Sequence, residues 1–167
     1  YFGPDEAELK AKGVLAIFLG YYFSWDPEVS LNAALSSGFR KRAEGPKTGY
    51  YDYADIDDDF ISIHHWLKWY KFGFTRLFDN LSLEIRNRRM SRGQAIGKLK
   101  EIGPQRPAED IEKLCGFLEI SQDHFNEIAE SFRSPEVWSR RNGQWVIDDF
   151  LIPDWDWNGH TPQRTAA

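Results

Sequence analysis

Residues 57–89 read DDDFISIHHWLKWYKFGFTRLFDNLSLEIRNRR, and this stretch predicts two consecutive amphipathic helices. The first helix carries an apolar stripe at helical spacing, formed by Phe60, Ile63, Leu67 and Tyr70. It should end near Gly73, because glycine readily adopts the left-handed conformation that terminates helices. The second helix, over Leu77 to Arg89, places its apolar side chains within about 100° of arc, and these are Leu77, Phe78, Leu81 and Ile85. Its opposite face carries Asp79, Ser82 and Arg86. We therefore predict that the apolar face packs in the core and that the polar face is available for binding or catalysis.

The flanking sequence predicts four more helices and one hairpin. Capping residues and helix breakers place the helices at about 27–36, 91–101, 108–118 and 121–133. Asn142-Gly143 is typical of a tight turn, and the apolar run that begins at Trp145 follows it, so a β-hairpin is expected there. The predicted fold is therefore mainly α with a minor β component (α+β).

The N-terminal part has a different character. Its longest apolar run, Val14 to Phe23, is rich in strand formers and predicts a strand at about 14–23, buried on both faces. Few other strands are predicted, and position 1 is not methionine, so we expect a piece of a longer product whose further strands lie upstream. The predicted organisation is the end of a truncated α/β domain (1–26), a helical domain (27–140), and a hairpin with a C-terminal tail (141–167).

Composition indicates a folded protein rather than a disordered chain. The 167 residues include 12 Phe, 7 Trp and 7 Tyr. A single cysteine, Cys115, excludes an internal disulfide and a Cys-based zinc site, and its apolar neighbours predict a buried thiol. The run at 14–23 is about half as long as a membrane-spanning helix, and no leader precedes it, so we expect a cytoplasmic protein without a membrane partner.

Charge is distributed unevenly along the chain. The net charge is −5, yet the segment from Lys68 to Arg106 holds ten Lys and Arg against three acids, a local +7 that leaves −12 for the remainder. This favours a small polyanion such as a phosphate or a nucleotide, although a solvated basic helix face is the alternative. The segment from Lys71 to Arg76 joins the two helices, where free N–H groups favour an anion. Lys71 and Arg76 would add charge there, and Asp79 would hold an Arg side chain in place.

Other candidate sites are weaker. Asp57 and Asp58 offer carboxylates for Mg²⁺, although acidic residues also stabilise the start of a helix. His64 and His65 are adjacent, which is poor geometry for chelating one metal, but His64 lies on the same side as Lys71 and could reach a ligand held there. The chain contains no Gly-rich phosphate loop and no Ser-His-Asp or Cys-His set.

Several short motifs occur together in a recognisable order. The segment 71–76 (KFGFTR) with Asp79, then Glu84-Ile85-Arg86-Asn87, then Ser91-Arg92, resembles the C-terminal signature of the ATP-dependent N-acetyl sugar amidotransferases of bacterial surface-polysaccharide synthesis. That signature is roughly K-[FY]-G-[FY]-G-R-A-T-D, E-I-R-N-G and T-R-E-E-A. The resemblance covers about residues 14–100 and also includes Tyr22-Phe23-Ser24-Trp25, Gly38-Phe39, Thr48-Gly49 and Ile56-Asp57-Asp58.

This resemblance implies an enzyme of lipopolysaccharide biosynthesis. Members of the family convert an acetamido group of a nucleotide sugar into an acetamidino group, using ATP with Mg²⁺ and ammonia from a partner glutaminase that has a cyclase-like companion. ATP would be bound mainly by an N-terminal α/β domain of the PP-loop type, so the chain is expected to be a C-terminal fragment that is inactive alone. Nucleic acid is not expected as a partner.

The resemblance also implies roles for individual residues. Lys71 and Arg76 would hold phosphate charge and Asp79 would orient an Arg, as the catalytic set. Arg86 and Arg92 would either contact the nucleotide sugar or brace the site, and Glu84 is a further substrate-binding candidate. His64 joins these candidates through its position on the same side as Lys71, not through the resemblance. The sequence departs from the signature at Thr75, Leu77, Phe78, Arg88 and Gly93, and it leaves open whether these departures abolish or redirect activity.

A different class of function stays open beside the enzyme. A non-catalytic helical module could use the basic stripe to bind nucleic acid or a protein, and a degenerate relative of the family would also fit the departures. The sequence does not identify the sugar or its nucleotide. It also does not determine the oligomeric state or whether this piece folds alone.

Overall fold

A computed structural model of the chain describes residues 3–157. Eight helices and two short strands lie in this range: α1 Glu6–Ala11, α2 Leu19–Tyr22, α3 Pro27–Ser36, α4 Ile61–Phe72, α5 Arg76–Arg86, α6 Arg92–Ile102, α7 Ala108–Leu118, α8 Gln122–Ser131, β1 Ser139–Arg141 and β2 Gln144–Val146. The prediction of a mainly α fold with a minor β component is confirmed. The chain divides into two compact units, Tyr1–Ser37 and Gly38–Ala167.

The strand predicted at 14–23 is wrong. Residues 14–18 have no regular structure, and Leu19–Tyr22 form the single-turn helix α2. The segment is also not buried, since the exposed fraction of Phe18 is 89%. A strand buried on both faces requires neighbouring strands, and within residues 3–157 the hairpin of β1 and β2 is the one sheet. The prediction was wrong because it relied on the apolar composition of residues 14–23 alone.

Helix α3 follows its predicted signals. The side chain of Asp26 accepts a hydrogen bond from the backbone N–H of Glu28 at 3.0 Å, and Pro27 occupies the first helical position. Gly38 lies beyond the last turn with φ of 92°. The helix belongs to the first compact unit, whereas the sequence analysis assigned it to the helical domain 27–140.

Helix α4 is the centre of the second unit and packs against α5, α7 and α8. Its aromatic residues Trp66, Trp69 and Tyr70 are each at most 5% exposed. They meet apolar side chains from the other elements, chiefly Leu77, Leu81, Ile111, Phe125 and Trp138. The predicted buried thiol is confirmed, since Cys115 is part of this core. Burial of the large aromatic rings is expected to be the main stabilising contribution to the unit.

The helix ends show which local signals acted. Gly73 is the left-handed C-cap of α4, and Ser91 with Gln94 forms the predicted capping box of α6. Helix α5 ends at Arg86, three residues before its predicted end, because Arg88 has a φ of 60° that a right-handed helix excludes. Helix α8 likewise ends at Ser131 rather than at Arg133.

The C-terminal part packs back onto α4. The predicted hairpin is confirmed: β1 pairs antiparallel with β2, and Asn142 and Gly143 both have positive φ in the turn. The indole N–H of Trp138 donates a hydrogen bond to the carbonyl of Tyr70 at 2.7 Å. Residues 158–167 of the predicted tail lie outside the described residues. None of the described helices combines the length and the apolar character that crossing a bilayer requires.

Candidate functional site

The junction between α4 and α5 keeps the backbone geometry that the sequence motif predicts. Gly73 has φ of 71°, and Thr75 is the extended N-cap residue of α5 with φ of −118° and ψ of 177°. Thr75 offers no side-chain hydrogen bond to the helix end. Any residue adopts its backbone conformation, so the departure from glycine at this position introduces no strain. The start of α5 therefore presents backbone N–H groups that favour an anion.

The loop before α4 covers this helix start. The backbone N–H of Tyr50 donates to Oδ1 of Asn80 at 3.0 Å. Gly49 has φ of 82°, and a Cβ atom on it would lie 2.4 Å from Oδ1 of Asn80, so only glycine lets the loop approach α5 this closely. The hydroxyl of Thr48 lies 2.9 Å from Nδ1 of His65 on α4. Three successive residues thus attach the loop to both helices.

Arg76 lies where this loop meets the first turn of α5. Its guanidinium is 3.6 Å from a carboxylate oxygen of Asp55, and its Nε is buried without a hydrogen-bond partner among the described residues. A cavity of about 20 Å³ opens here, lined by Thr48, Gly49, His65, Thr75, Arg76 and Gln105 among others. This volume admits about one water-sized group, so a larger anion would bind at the mouth of the cavity rather than inside it.

The imidazole of His65 is 94% shielded from solvent, since its exposed fraction is 6%. Burial lowers the pKa of His65 below its usual value, and Asp55 opposes that shift while Arg76 reinforces it. The ring is therefore neutral at neutral pH. A neutral ring holds Thr48 by a hydrogen bond and leaves Arg76 as the cationic side chain that lines the cavity.

A buried carboxylate anchors the same loop from below. Both oxygens of Asp110 on α7 accept hydrogen bonds from Nζ of Lys47, at 3.0 and 3.1 Å, and Ser62 on α4 donates a third bond at 2.5 Å. Burial raises the pKa of Asp110, but the bonds from Ser62 and Lys47 outweigh it, so the net shift is downward. The charged carboxylate fixes Lys47 next to Thr48, and with it the loop over Arg76.

Two of the three predicted catalytic residues have other partners. Asp79 accepts a hydrogen bond from Lys68 at 2.5 Å, and its role in orienting an arginine stays a prediction. The ammonium group of Lys71 lies 4.3 Å from the centre of the Phe132 ring at the end of α8. The structure therefore does not bring Lys71 to the carboxylate that Arg76 contacts.

Glu84 is a buried structural carboxylate. Its oxygens accept two bonds from Arg89, both at 2.8 Å, and one from the hydroxyl of Tyr51 at 2.6 Å. Burial, together with the bond to Glu84, raises the pKa of the Tyr51 hydroxyl well above its usual range. A substrate-binding role for Glu84 stays a prediction, but in this arrangement the carboxylate ties the loop before α4 to the end of α5.

The remaining substrate-binding candidates lie on the surface. His64, Arg86 and Arg92 are exposed, and the two arginines form no ion pair with any described residue. Arg86 is ten residues after Arg76, or about 15 Å along α5. A single ligand would therefore need to span about 15 Å to contact both arginines.

The two aspartates proposed for Mg²⁺ stand at the start of α4. Oδ1 of Asp58 accepts a hydrogen bond from the backbone N–H of Phe60 at 2.7 Å, and Asp57 is exposed. Within residues 3–157 no three His, Cys, Asp or Glu side chains are grouped so that they could hold a metal ion. A Mg²⁺ ion here would need oxygens from a phosphate ligand, and this site stays a prediction.

Sequence reasoning missed the residues that give the site its shape. His65, Asn80 and Asp110 were not predicted, although Thr48-Gly49 and Arg76 were noted within the motif order. The signal for His65 was its position one residue before Trp66 and four before Trp69, on the core side of α4. Asn80 and Asp110 contact residues 30 to 63 positions away, and a single sequence does not show such contacts.

Comparison with known families gives one finding. The model of a family described as LPS biosynthesis protein WbpG-like, C-terminal domain, matches residues 44–151. The match covers well over half of the chain and includes the loop before α4, all of α4 and α5, and the hairpin. No curated protein matches the chain.

Proposed function

Since the chain belongs to the family of WbpG-like LPS biosynthesis proteins, as their C-terminal domain, we propose that it is the C-terminal part of an ATP-dependent N-acetyl sugar amidotransferase. The proposed reaction has two steps. The acetamido oxygen of a nucleotide sugar attacks ATP and displaces pyrophosphate. Ammonia then adds to the activated carbon, and AMP departs with the oxygen, leaving an acetamidino group.

One observation carries this proposal. Arg76 is the first residue of α5, beside the free N–H groups of the helix start, and its guanidinium is held only loosely by Asp55 at 3.6 Å. A phosphate of the substrate can replace that contact with a closer, charge-assisted one. Thr48 and the neutral His65 complete the wall on which the phosphate would rest. Arg76 is thus the residue that we assign to the substrate phosphate.

The proposed reaction also needs ATP, Mg²⁺ and ammonia, which the residues around Arg76 do not supply. ATP would be bound mainly by a separate PP-loop domain, with Asp57 and Asp58 as candidate oxygen ligands for its Mg²⁺. Ammonia would come from a partner glutaminase and its cyclase-like companion, and the reaction would take place in the cytoplasm. The residues of this chain bind and orient the nucleotide sugar, so the chain alone is expected to be inactive.

Product identification tests the proposal. The full-length protein is incubated with ATP, ammonium chloride and a panel of nucleotide-linked N-acetyl sugars, and mass spectrometry follows the sugar while chromatography follows AMP. We expect an acetamidino sugar and one AMP per product, with neither formed when ATP or ammonium is left out. Absence of product for every sugar, together with salt-dependent binding to generic DNA through the exposed Arg86, Arg88 and Arg92, would instead support the helical binding module.

A further inference from the structure

A second cleft opens one turn along α5 from Arg76. It has a volume of about 380 Å³ and lies between the KFGFTR segment and the chain that follows β2. Its walls include four phenylalanines and two carboxylates: Phe72, Phe74, Phe78, Phe150, Asp79 and Asp149. The volume falls within the range of small-molecule sites.

The phenylalanine rings leave apolar surface open to a ligand. Phe72 and Phe74 stack with their centres 5.8 Å apart, and Phe78 meets Phe150 edge to face at 6.3 Å. Phe72 is 54% exposed, so much of its ring surface is accessible to a ligand. Exposed aromatic faces of this kind offer contact area to a ring that carries C–H groups on its faces.

The polar groups of the cleft are hydrogen-bond acceptors. Oδ2 of Asp79 is held by Lys68, while its other oxygen has no hydrogen-bond partner among the described residues, and the side chain is 37% exposed. Asp149 also lines the cleft and is exposed. The ammonium group of Lys68 is occupied by Asp79 and lies 4.6 Å from the centre of the Phe74 ring. The cleft therefore repels anions and suits an uncharged ligand with hydroxyl donors.

We propose that this cleft binds the N-acetylated pyranose ring of the nucleotide sugar. The exposed ring of Phe72 stacks on the apolar face of the sugar, and the carboxylates of Asp79 and Asp149 accept bonds from its hydroxyl groups. The inference rests on the proposed function, because it takes the substrate to be a nucleotide sugar. Arg76 and Asp79 are three residues apart, or about 4.5 Å along the axis of α5, so the proposed phosphate and sugar sites are neighbours on this helix.

The test compares the affinities of UDP-N-acetylglucosamine and UDP for the full-length protein by isothermal titration calorimetry. The sugar's contribution is the ratio of the two dissociation constants. We expect wild type to bind UDP-N-acetylglucosamine about tenfold more tightly than UDP, and Phe72→Ala to lose most of that ratio while its affinity for UDP is unchanged. Asp79→Asn is a second variant with the same expected direction. Phe117→Ala removes an exposed phenylalanine on α7 and should leave both constants unchanged.

The outcomes separate this inference from the proposed function. Equal affinity of wild type for the two ligands, or a ratio that persists in Phe72→Ala and Asp79→Asn, would overturn the sugar site and favour a protein contact at the cleft. Loss of UDP binding in Arg76→Ala would leave the proposed function standing in that case. If wild type binds neither these two ligands nor any other nucleotide sugar of the panel, the proposed phosphate site fails and the sugar site falls with it.

Discussion

The hydroxyl of Thr48 lies 2.9 Å from Nδ1 of His65, joining the loop before α4 to the buried side of α4. The contact places the loop over the start of α5, where Arg76 lies. Because His65 is buried and neutral, the bond depends on a ring whose protonation the interior opposes. Uptake of a proton by His65 is therefore expected to weaken one of the contacts that hold the loop.

Protonation of His65 should destabilise the protein in mild acid. Burial makes the pKa of His65 lower in the folded protein than the usual value of a histidine, about 6.5, so the unfolded chain takes up a proton first as pH falls. Its contribution to stability is complete above about pH 6.5 and is lost below it, towards the lower folded pKa. Urea unfolding measures how far the free energy of unfolding falls between pH 7.5 and pH 5.5. This fall should be smaller for His65→Asn, which keeps a partner for Thr48, than for wild type. Equal losses would contradict a buried neutral ring.

Substitution of Gly73 should destabilise the second unit for two reasons. A Cβ atom there would lie 2.3 Å from Cδ1 of Ile147, and the residue has a left-handed backbone. We expect Gly73→Ala to lower the free energy of unfolding by about 2–3 kcal/mol in urea denaturation. Ile147→Val removes the clashing Cδ1 atom. The double variant should therefore lose less free energy of unfolding than the two single variants lose together. Strict additivity would show that the two side chains do not meet.

The matched control for that substitution is Gly97→Ala. Gly97 lies within α6, and a Cβ atom on it would meet nothing within 4 Å. Alanine favours a helix over glycine by up to about 1 kcal/mol, so this variant should be stabilised. The free energy of unfolding should therefore fall in Gly73→Ala and rise in Gly97→Ala.

Arg88 occupies a position where the family signature has glycine, and its φ of 60° retains the conformation that glycine favours. Arg88→Gly should therefore stabilise the protein by about 0.5–1 kcal/mol, despite the added freedom of the unfolded chain. Lys100→Gly within α6 is the control and should destabilise by about 1 kcal/mol. Thermal unfolding of both variants measures the difference, and destabilisation by Arg88→Gly would indicate that the arginine side chain makes a contact worth more than the strain.

Glu84 should behave as a structural residue. Its side chain is 9% exposed, and removing it would leave Arg89 and Tyr51 without their carboxylate partner. We expect Glu84→Ala to lower the free energy of unfolding by about 2–4 kcal/mol. A variant that folds with wild-type stability but loses nucleotide-sugar binding would restore the substrate role that the sequence analysis gave this residue.

Local signals predicted most of the fold. The glycine at 73, the capping box at Ser91 and the Asn142-Gly143 turn each act through neighbouring backbone groups, and the structure has all three as predicted. The strand at 14–23 was wrong because a strand depends on partners elsewhere in a chain, and the residues' own preferences do not supply them.

The site was predicted only in part, for a similar reason. Arg76 was identified because helix starts and arginine both favour anions, and this is visible within six residues. The residues around Arg76 were not identified from the sequence. Thr48, His65 and Asn80 come together because the loop packs on two helices. Lys71 and Asp79 were grouped with Arg76 by proximity in sequence, yet Phe132 and Lys68 are their contacts.

The most direct measurement of the central claim is steady-state turnover of the full-length enzyme carrying Arg76→Ala, beside Arg40→Ala as a charge-matched variant of an exposed arginine outside the site. If Arg76 binds the substrate phosphate, Arg76→Ala should lower kcat/KM for the nucleotide sugar by about tenfold to hundredfold, with urea stability preserved and Arg40→Ala unaffected. Wild-type kcat/KM in a correctly folded Arg76→Ala enzyme would contradict the account.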